Sequence, residues 1–363
     1  MKKIIKLLTV AAAALLVAAS LAGCGGGDSD ADGGAAGGGG GTANEEKTVY
    51  YPLTGEAAPN EAATVKRIIS VKIENTPEAR PQLGLTRADV VYESLTEGGI
   101  TRFNCLYQSD VPDEVGPVRS ARDSDMSIVP EYNAFFFFSG ANDLVWARLA
   151  TTSISEMSHN SASALYHRVD YRAAPHNLYL DLGKTYDQAA KMGYDTIEHT
   201  PRTLEFGPLN TEGREAVLSF QVPFSSADYN VDWSYEDGAY KRSIRGEPQV
   251  DEAEGAPQVA PQNVVILWQE YVPAADIPGK GQTYNIDMTG KGTCRVYRDG
   301  VKIDGTWSSD GGTPPRFTDA SGEAIPLAAG QTWFEIVPTG TEISETSAAD
   351  TAAAAEGEAE EAA

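Results

Sequence analysis

The chain has 363 residues and sets 52 Asp and Glu against 28 Lys and Arg, a formal net charge of −24. A generic nucleic-acid binder has the opposite balance, and unaided docking on an anionic membrane is disfavoured as well. Three cysteines and four histidines without zinc spacing leave no metal centre to expect, and no fingerprint of another cofactor is present.

Lys2, Lys3 and Lys6 precede an apolar stretch over residues 7–21 that is too short to span a bilayer comfortably. Leu21-Ala22-Gly23-Cys24 closes it with small residues before a cysteine. This is the layout of a bacterial lipoprotein signal, so residues 1–23 are expected to be removed and Cys24 to carry lipid. Loss of the three lysines takes the mature charge to −27. The protein is therefore expected at the cell membrane, anchored through Cys24 and facing the extracytoplasmic side. Residues 24–48 are rich in Gly, Ala, Asp and Ser and bury nothing, which predicts a flexible tether. Its low-complexity part, residues 25–42, would reach roughly 20–25 Å on average.

The folded part is too long for one comfortable core, and two domains are expected. The first covers residues 49–210. Ile69, Val71 and Ile73 alternate within residues 67–74, a strand; residues 88–93 and 101–108 read as two more. Four consecutive aromatics, Phe135 to Phe138, suit a strand buried on both faces. Helices are expected over roughly 141–158 and 184–193, the latter with Gly193 as its cap. This mixture predicts an α/β sheet domain.

The second domain, residues 216–338, reads as mostly β. Glu236-Asp237-Gly238-Ala239 and Arg298-Asp299-Gly300-Val301 are turn signals between alternating runs, and further strands follow at short spacing to residue 337. The expected fold class is thus α+β, the second domain being a small sandwich or open barrel. Its tryptophans, Trp233, Trp268, Trp307 and Trp333, are expected mostly in the core. Residues 340–363 are acidic, Ala-rich and lack a basic residue, which predicts a disordered tail. Cys105 and Cys294 lie in strand-like runs; burial as free thiols and a disulfide between the domains both remain open.

The candidate chemistry is concentrated in three loops. Residues 93–102 hold Glu93, Glu97, Gly98-Gly99 and Arg102; residues 116–125 hold Arg119 and Arg122; His176-Asn177 follows Pro175. Loops at the carboxyl ends of strands are the usual ligand positions of an open sheet. Guanidinium groups match phosphate or carboxylate oxygens two at a time, so Arg102, Arg119 and Arg122 are candidates for an anion site. Glu93 and Glu97 would orient the arginines or act as an acid and base pair. His176 and Asn177 would be a general base or a hydrogen-bonding clamp. A structural network of ion pairs explains the same residues equally well. Ser120 has no assigned base, no Gly-x-Ser-x-Gly elbow is present, and no residue is expected to be catalytic.

Several blocks resemble the YerB-like lipoprotein family. They are Pro81-Gln82-x-Gly84-Leu85, Ala88-Asp89-Val90-Val91-Tyr92-Glu93, Glu97-Gly98-Gly99-Ile100-Thr101-Arg102, Gly116-Pro117-Val118-Arg119-Ser120-Ala121-Arg122 and Pro175-His176-Asn177-Leu178-Tyr179. Asn263-Val264-Val265, Gly305-Thr306-Trp307 and Gly330-Gln331-Thr332-Trp333 continue the likeness. The resemblance implies a two-domain extracytoplasmic lipoprotein and names no catalyst. In order alone, Arg87-Ala88-Asp89 and Arg119-Ser120-Ala121-Arg122-Asp123 are also similar to LytR-CpsA-Psr phosphotransferases, which bind polyprenyl-phosphate carriers through arginines. The expected function is a non-catalytic envelope lipoprotein that binds an anionic wall component or an envelope protein. The alternative is an envelope enzyme acting on polyprenyl-phosphate carriers or wall glycans.

Overall fold

Residues 48–277, 279 and 281–347 are described by a computed structural model of the chain. The signal segment, Cys24, the tether up to residue 47 and residues 348–363 lie outside the described residues.

The first region contains strands β1 (Ile69–Glu74), β2 (Val90–Leu95), β3 (Thr101–Tyr107), β4 (Glu114–Val115), β5 (Phe135–Phe137), β6 (Ser155–Glu156), β7 (Tyr166–Arg168) and β8 (Leu178–Asp181). Its helices are α1 (Glu61–Thr64), α2 (Asp125–Glu131), α3 (Asp143–Leu149) and α4 (Thr185–Lys191). The second region adds β9 (Val217–Val222), β10 (Val231–Glu236), β11 (Ala239–Ile244), β12 (Glu247–Pro248), β13 (Asn263–Gln269), β14 (Val272–Ile277) and β15 (Gly281–Asn285). It ends with β16 (Gly290–Arg298), β17 (Val301–Ser309), β18 (Arg316–Asp319), β19 (Thr332–Pro338) and β20 (Ser344–Ser347). A mixed first half and a strand-rich second half are what the sequence predicts.

Ten strands build one sheet in the order β18-β17-β16-β13-β19-β2-β3-β1-β5-β6. The two regions meet inside it, where β19 runs parallel to β2 and Glu335 stands opposite Glu93. The second region therefore does not close on itself. Five of its strands extend the first region's sheet, and β12-β11-β10-β9-β20 forms a second sheet stacked on the shared one. Phe220 stacks on Tyr297 with centroids 3.7 Å apart, and Trp233 meets Trp333 edge-on at 5.6 Å. The reason lies in β13 and β19, whose centres are buried on both faces. Such strands need a neighbour on each edge and cover on each side.

Alternation sorts the two faces. Ile69, Val71, Ile73, Val91, Phe103, Cys105 and Trp333 pack toward the second sheet and the small sheet β4-β8-β7. Tyr92, Leu106, Phe136 and Phe334 pack on the other face with Met126, Val129 and Val145 of α2 and α3. Cys105 and Cys294 fall in these two separate cores as free, buried thiols, and burial pushes the Cys294 thiol up to about 12. Trp233, Trp307 and Trp333 are wholly buried.

Two expectations need correction. The helix expected over 141–158 ends at Leu149, because Thr151 and Thr152 turn their hydroxyls back onto the carbonyls of Arg148 and Leu149 at 2.7 and 2.8 Å. That frees the chain to form β6, an edge of the main sheet. The tail expected from residue 340 is also ordered at first. Ser344–Ser347 is the edge strand β20, held by Glu345, which accepts from Tyr297 Oη at 2.5 Å and pairs with Arg295 and Lys302 at 2.8 and 2.6 Å.

Glu131, at the end of α2, is 1% exposed and accepts a hydrogen bond from Ser309 Oγ. Burial, with Asp310 and Asp287 nearby, pushes its carboxyl from 4.5 up to about 8. Between these values the folded chain keeps a proton that the unfolded chain has released, so stability falls as pH rises through the window. Glu131→Gln is expected to match the parent at pH 4–5 and to exceed it by on the order of 2–4 kcal/mol at pH 8. Urea unfolding at both pH values checks this; equal stabilities at pH 8 would remove Glu131 as a titrating group.

Strands β1, β2, β5, β6, β13 and β19 all run in one direction, since β1 and β2 are both antiparallel to β3 and the remaining links are parallel. Their carboxyl ends open on a single edge of the sheet, the position where open sheets bind ligands.

Candidate functional site

On that edge the register sets Arg102, at the start of β3, between Glu74 on β1 and Ser94 on β2. The Val115–Asp125 segment crosses the same edge: Arg119 N donates to Lys72 O at 2.9 Å, and Ala121 N donates to Gly140 O at 3.0 Å, just past β5. It is pinned from below by Asp125, which accepts from Lys72 Nζ at 2.7 Å, Asn104 Nδ2 at 2.9 Å and Arg122 N at 2.6 Å. Lys72 and Asp125 are completely buried, so this pair is a fixed support. Burial lowers the Lys72 pKa and Asp125 opposes that shift.

The three arginines converge here. Arg122 grips Glu97 with two hydrogen bonds, its Nε donating at 2.6 Å, and sends Nη1 to Ser120 O at 3.2 Å and Ala121 O at 2.7 Å. Arg119 Nε lies 2.9 Å from Glu74 Oε1. Arg102 is 6% exposed; its Nη1 donates to Ser120 O at 3.3 Å, its Nε has no partner, and it joins no ion pair among the described residues. Burial first, then the neighbouring Arg122 and Arg119, lower its pKa to about 9. Glu97 is held below the usual carboxylate range, burial opposing and Arg122 prevailing.

His176 joins the edge through Glu74: its Nδ1 is 3.0 Å from Glu74 Oε1 and 3.3 Å from Thr76 Oγ1. Glu74 is wholly buried and its Oε2 has no hydrogen-bond partner. Gly98 and Gly99 both adopt positive φ, 75° and 71°, which a side-chain-bearing residue rarely tolerates. They make the turn that carries Glu97 to Arg122.

Glu93 and Asn177 stand apart from this cluster. Glu93 points to the opposite face of the sheet, where it pairs with Arg242 at 2.6 Å between the two sheets. Glu93 and Glu97 therefore do not face one cleft as an acid and base pair. Asn177 braces its own loop, accepting from Arg168 Nη1 at 2.6 Å and donating to Val169 O at 2.9 Å. Ser120 donates its hydroxyl to Ser139 O at 3.0 Å. Arg87 and Asp89 precede β2, at the other end of the strands from Arg119 to Asp123, so these two blocks do not form one site. Asp89 is buried there and its pKa rises to about 6, burial outweighing hydrogen bonds from Ser109 and Gln108.

Sequence reasoning missed Glu74, Lys72 and Asp125. Lys72 and Glu74 alternate with Val71 and Ile73, the pattern of a strand with one wet face. Cover from α2 and the Val115–Asp125 segment, with Thr76 and His176 over Glu74, buries them.

Two family models match the chain. The N-terminal domain of the family described as "Protein of unknown function (DUF3048)" covers residues 53–195, and its C-terminal domain covers residues 220–334. A Bacillus subtilis (strain 168) protein named "Putative lipoprotein YerB" is 30% identical over 297 residues, 80% of this chain and 87% of that protein. The crystal structure of YerB protein from Bacillus subtilis superposes with a TM-score of 0.73 at 28% identity, covering 82% of this chain and 99% of the solved one. Both family domains follow in order along one shared sheet, and the likeness to YerB extends over most of both chains: this protein belongs to the DUF3048 family of YerB-like lipoproteins.

Proposed function

We propose that the protein is a lipid-anchored extracytoplasmic binding protein that holds an anionic group of an envelope component on the Arg102–Arg119–Arg122 edge. The lipid signal ending in Cys24 and the name of the YerB relative support the anchoring. The observation that carries the binding reading is Arg102. A guanidinium taken out of water normally has a carboxylate partner; this one donates to a single carbonyl, and the two nearby carboxylates, Glu97 and Glu74, pair with Arg122 and Arg119 instead. The cluster therefore has excess positive charge at an edge where ligands bind, in a chain that is acidic elsewhere. A phosphate or carboxylate would supply the missing acceptor through paired oxygens. The reading is binding rather than turnover: the hydroxyl lying between the arginines, that of Ser120, donates to Ser139 O and has no base beside it among the described residues.

The test is a titration of the detergent-solubilised full chain with inorganic pyrophosphate, followed by thermal unfolding and calorimetry. At 100 times the dissociation constant the fold should gain about 2.7 kcal/mol. Arg119→Ala and Arg122→Ala should each abolish that gain. An equal gain in both variants would place the anion elsewhere, and the absence of any gain would count against the anion site.

A further inference from the structure

Beside the arginine edge lies an open groove of about 530 Å³ lined by Glu78, Arg80, Tyr171, Arg172, His176 and Glu252. We infer that this groove is a saccharide subsite and that it delivers an anionic substituent of the sugar to Arg119; the delivery half rests on the anion reading above.

Tyr171 is the first reason. It is 61% exposed, and its ring has two neighbours: Tyr179 meets it edge-on at 6.3 Å, and the Arg172 guanidinium lies 6.0 Å from its centroid. An exposed aromatic face with neighbours at its edge is a platform for the C–H face of a pyranose.

The walls are built in advance. Arg172 Nη2 donates to Pro81 O at 2.6 Å and Glu252 Oε2 at 3.1 Å, and its Nη1 donates to Glu78 O at 3.3 Å. Tyr179 Oη donates to the same Glu252 oxygen at 2.5 Å. Both of the Glu252 contacts use Oε2, so Glu252 keeps Oε1 as an acceptor. His176 Nδ1 lies 3.0 Å from the buried Glu74 Oε1, which leaves its Nε2 without a partner among the described residues and open to a hydrogen bond with a ligand.

The third reason is the mixture of signs. The residues lining the groove carry both signs, Glu78 and Glu252 beside Arg80 and Arg172. A hydroxyl both donates and accepts, so a row of sugar hydroxyls suits such a lining, whereas a strongly charged peptide would call for one sign. At its inner end the groove reaches His176, which shares the Glu74 oxygen with Arg119. A sugar lying on Tyr171 with a carboxylate or phosphate directed inward would meet Arg119, whose side chain is 22% exposed.

The full chain in detergent would be titrated with chitotetraose, tetragalacturonate and inorganic phosphate. The charged sugar is expected to bind at least tenfold more tightly than the neutral one. Tyr171→Ala, at an exposed position that the fold does not need, should weaken both sugars at least tenfold and leave phosphate unchanged. Arg119→Ala should weaken phosphate and erase the preference for the charged sugar. Equal sugar affinities in the parent and Tyr171→Ala, or no sugar binding at millimolar concentration, would overturn the saccharide groove whatever phosphate does. Sugar binding that depends on Tyr171 without any phosphate binding would uphold the groove and overturn the anion placement.

Discussion

Replacing Arg242 by alanine is expected to destabilise the fold by about 3–5 kcal/mol, the cost of leaving a buried charge without its partner. Arg242 lies between the two sheets with no exposure, 2.6 Å from Glu93, and its guanidinium is 5.0–5.7 Å from the rings of Trp333, Phe103 and Trp233. Glu93 is also fully buried and accepts from Thr101 Oγ1 at 2.6 Å and Asn75 Nδ2 at 3.1 Å. A second carboxyl, Glu335, stands opposite it in the β2–β19 register and accepts from Trp233 Nε1 at 3.0 Å. Burial first, then the Glu93 charge, push the Glu335 pKa well above the usual carboxylate range. Arg242 is thus the cation set among these buried carboxyls, and removing it takes away the ion-pair partner of Glu93. The double variant Arg242→Met with Glu93→Gln should lose less than Arg242→Ala, since no charge is then left alone. Urea unfolding of the single and double variants reads this coupling. A loss under about 1 kcal/mol for Arg242→Ala, the range of exposed ion pairs, would mean that the Arg242–Glu93 pair does not hold the two sheets together.

Arg102→Gln is expected to act in the other direction. The arginine is buried and makes no ion pair among the described residues; Arg122 and Arg119 beside it outweigh the opposing influence of Glu97 and Glu74, which already pair with them. Glutamine keeps a donor for Ser120 O while removing the desolvated charge. The ligand-free protein should therefore gain on the order of 1–3 kcal/mol, as buried charges replaced by neutral groups often do. The same change should weaken pyrophosphate binding at least tenfold. Stability gained as binding is lost is the expected signature of a functional site kept at the expense of the fold. Unfolding with and without pyrophosphate measures both effects. A variant that is less stable and still responds fully to pyrophosphate would make Arg102 a structural residue.

Of the candidate site, Arg102, Arg119, Arg122 and Glu97 were legible because each occupies a loop or strand end whose position follows from local alternation. His176 reaches them through Glu74, an acid that looked like an exposed strand position. Glu93 and Glu97 illustrate the limit. Four residues apart in the chain, they end on opposite faces, because β2 stops at Leu95 and Glu97 already opens the turn that follows it. Spacing along a strand assigns a face only while the strand lasts.

The sequence by itself determined the lipoprotein signal ending in Cys24 as an expectation, the α+β character, and most strands of the main sheet. Each of these depends on composition or on periodicity within a few residues. Tertiary structure decided what borders what. The β2–β19 pairing joins residues more than two hundred positions apart and makes one sheet of two regions. It sets Glu335 beside Glu93, while cover from α2 buries Lys72 beneath the arginine loop. Alternation states that a side chain faces one way or the other, but the neighbour it meets there depends on long-range pairing and packing.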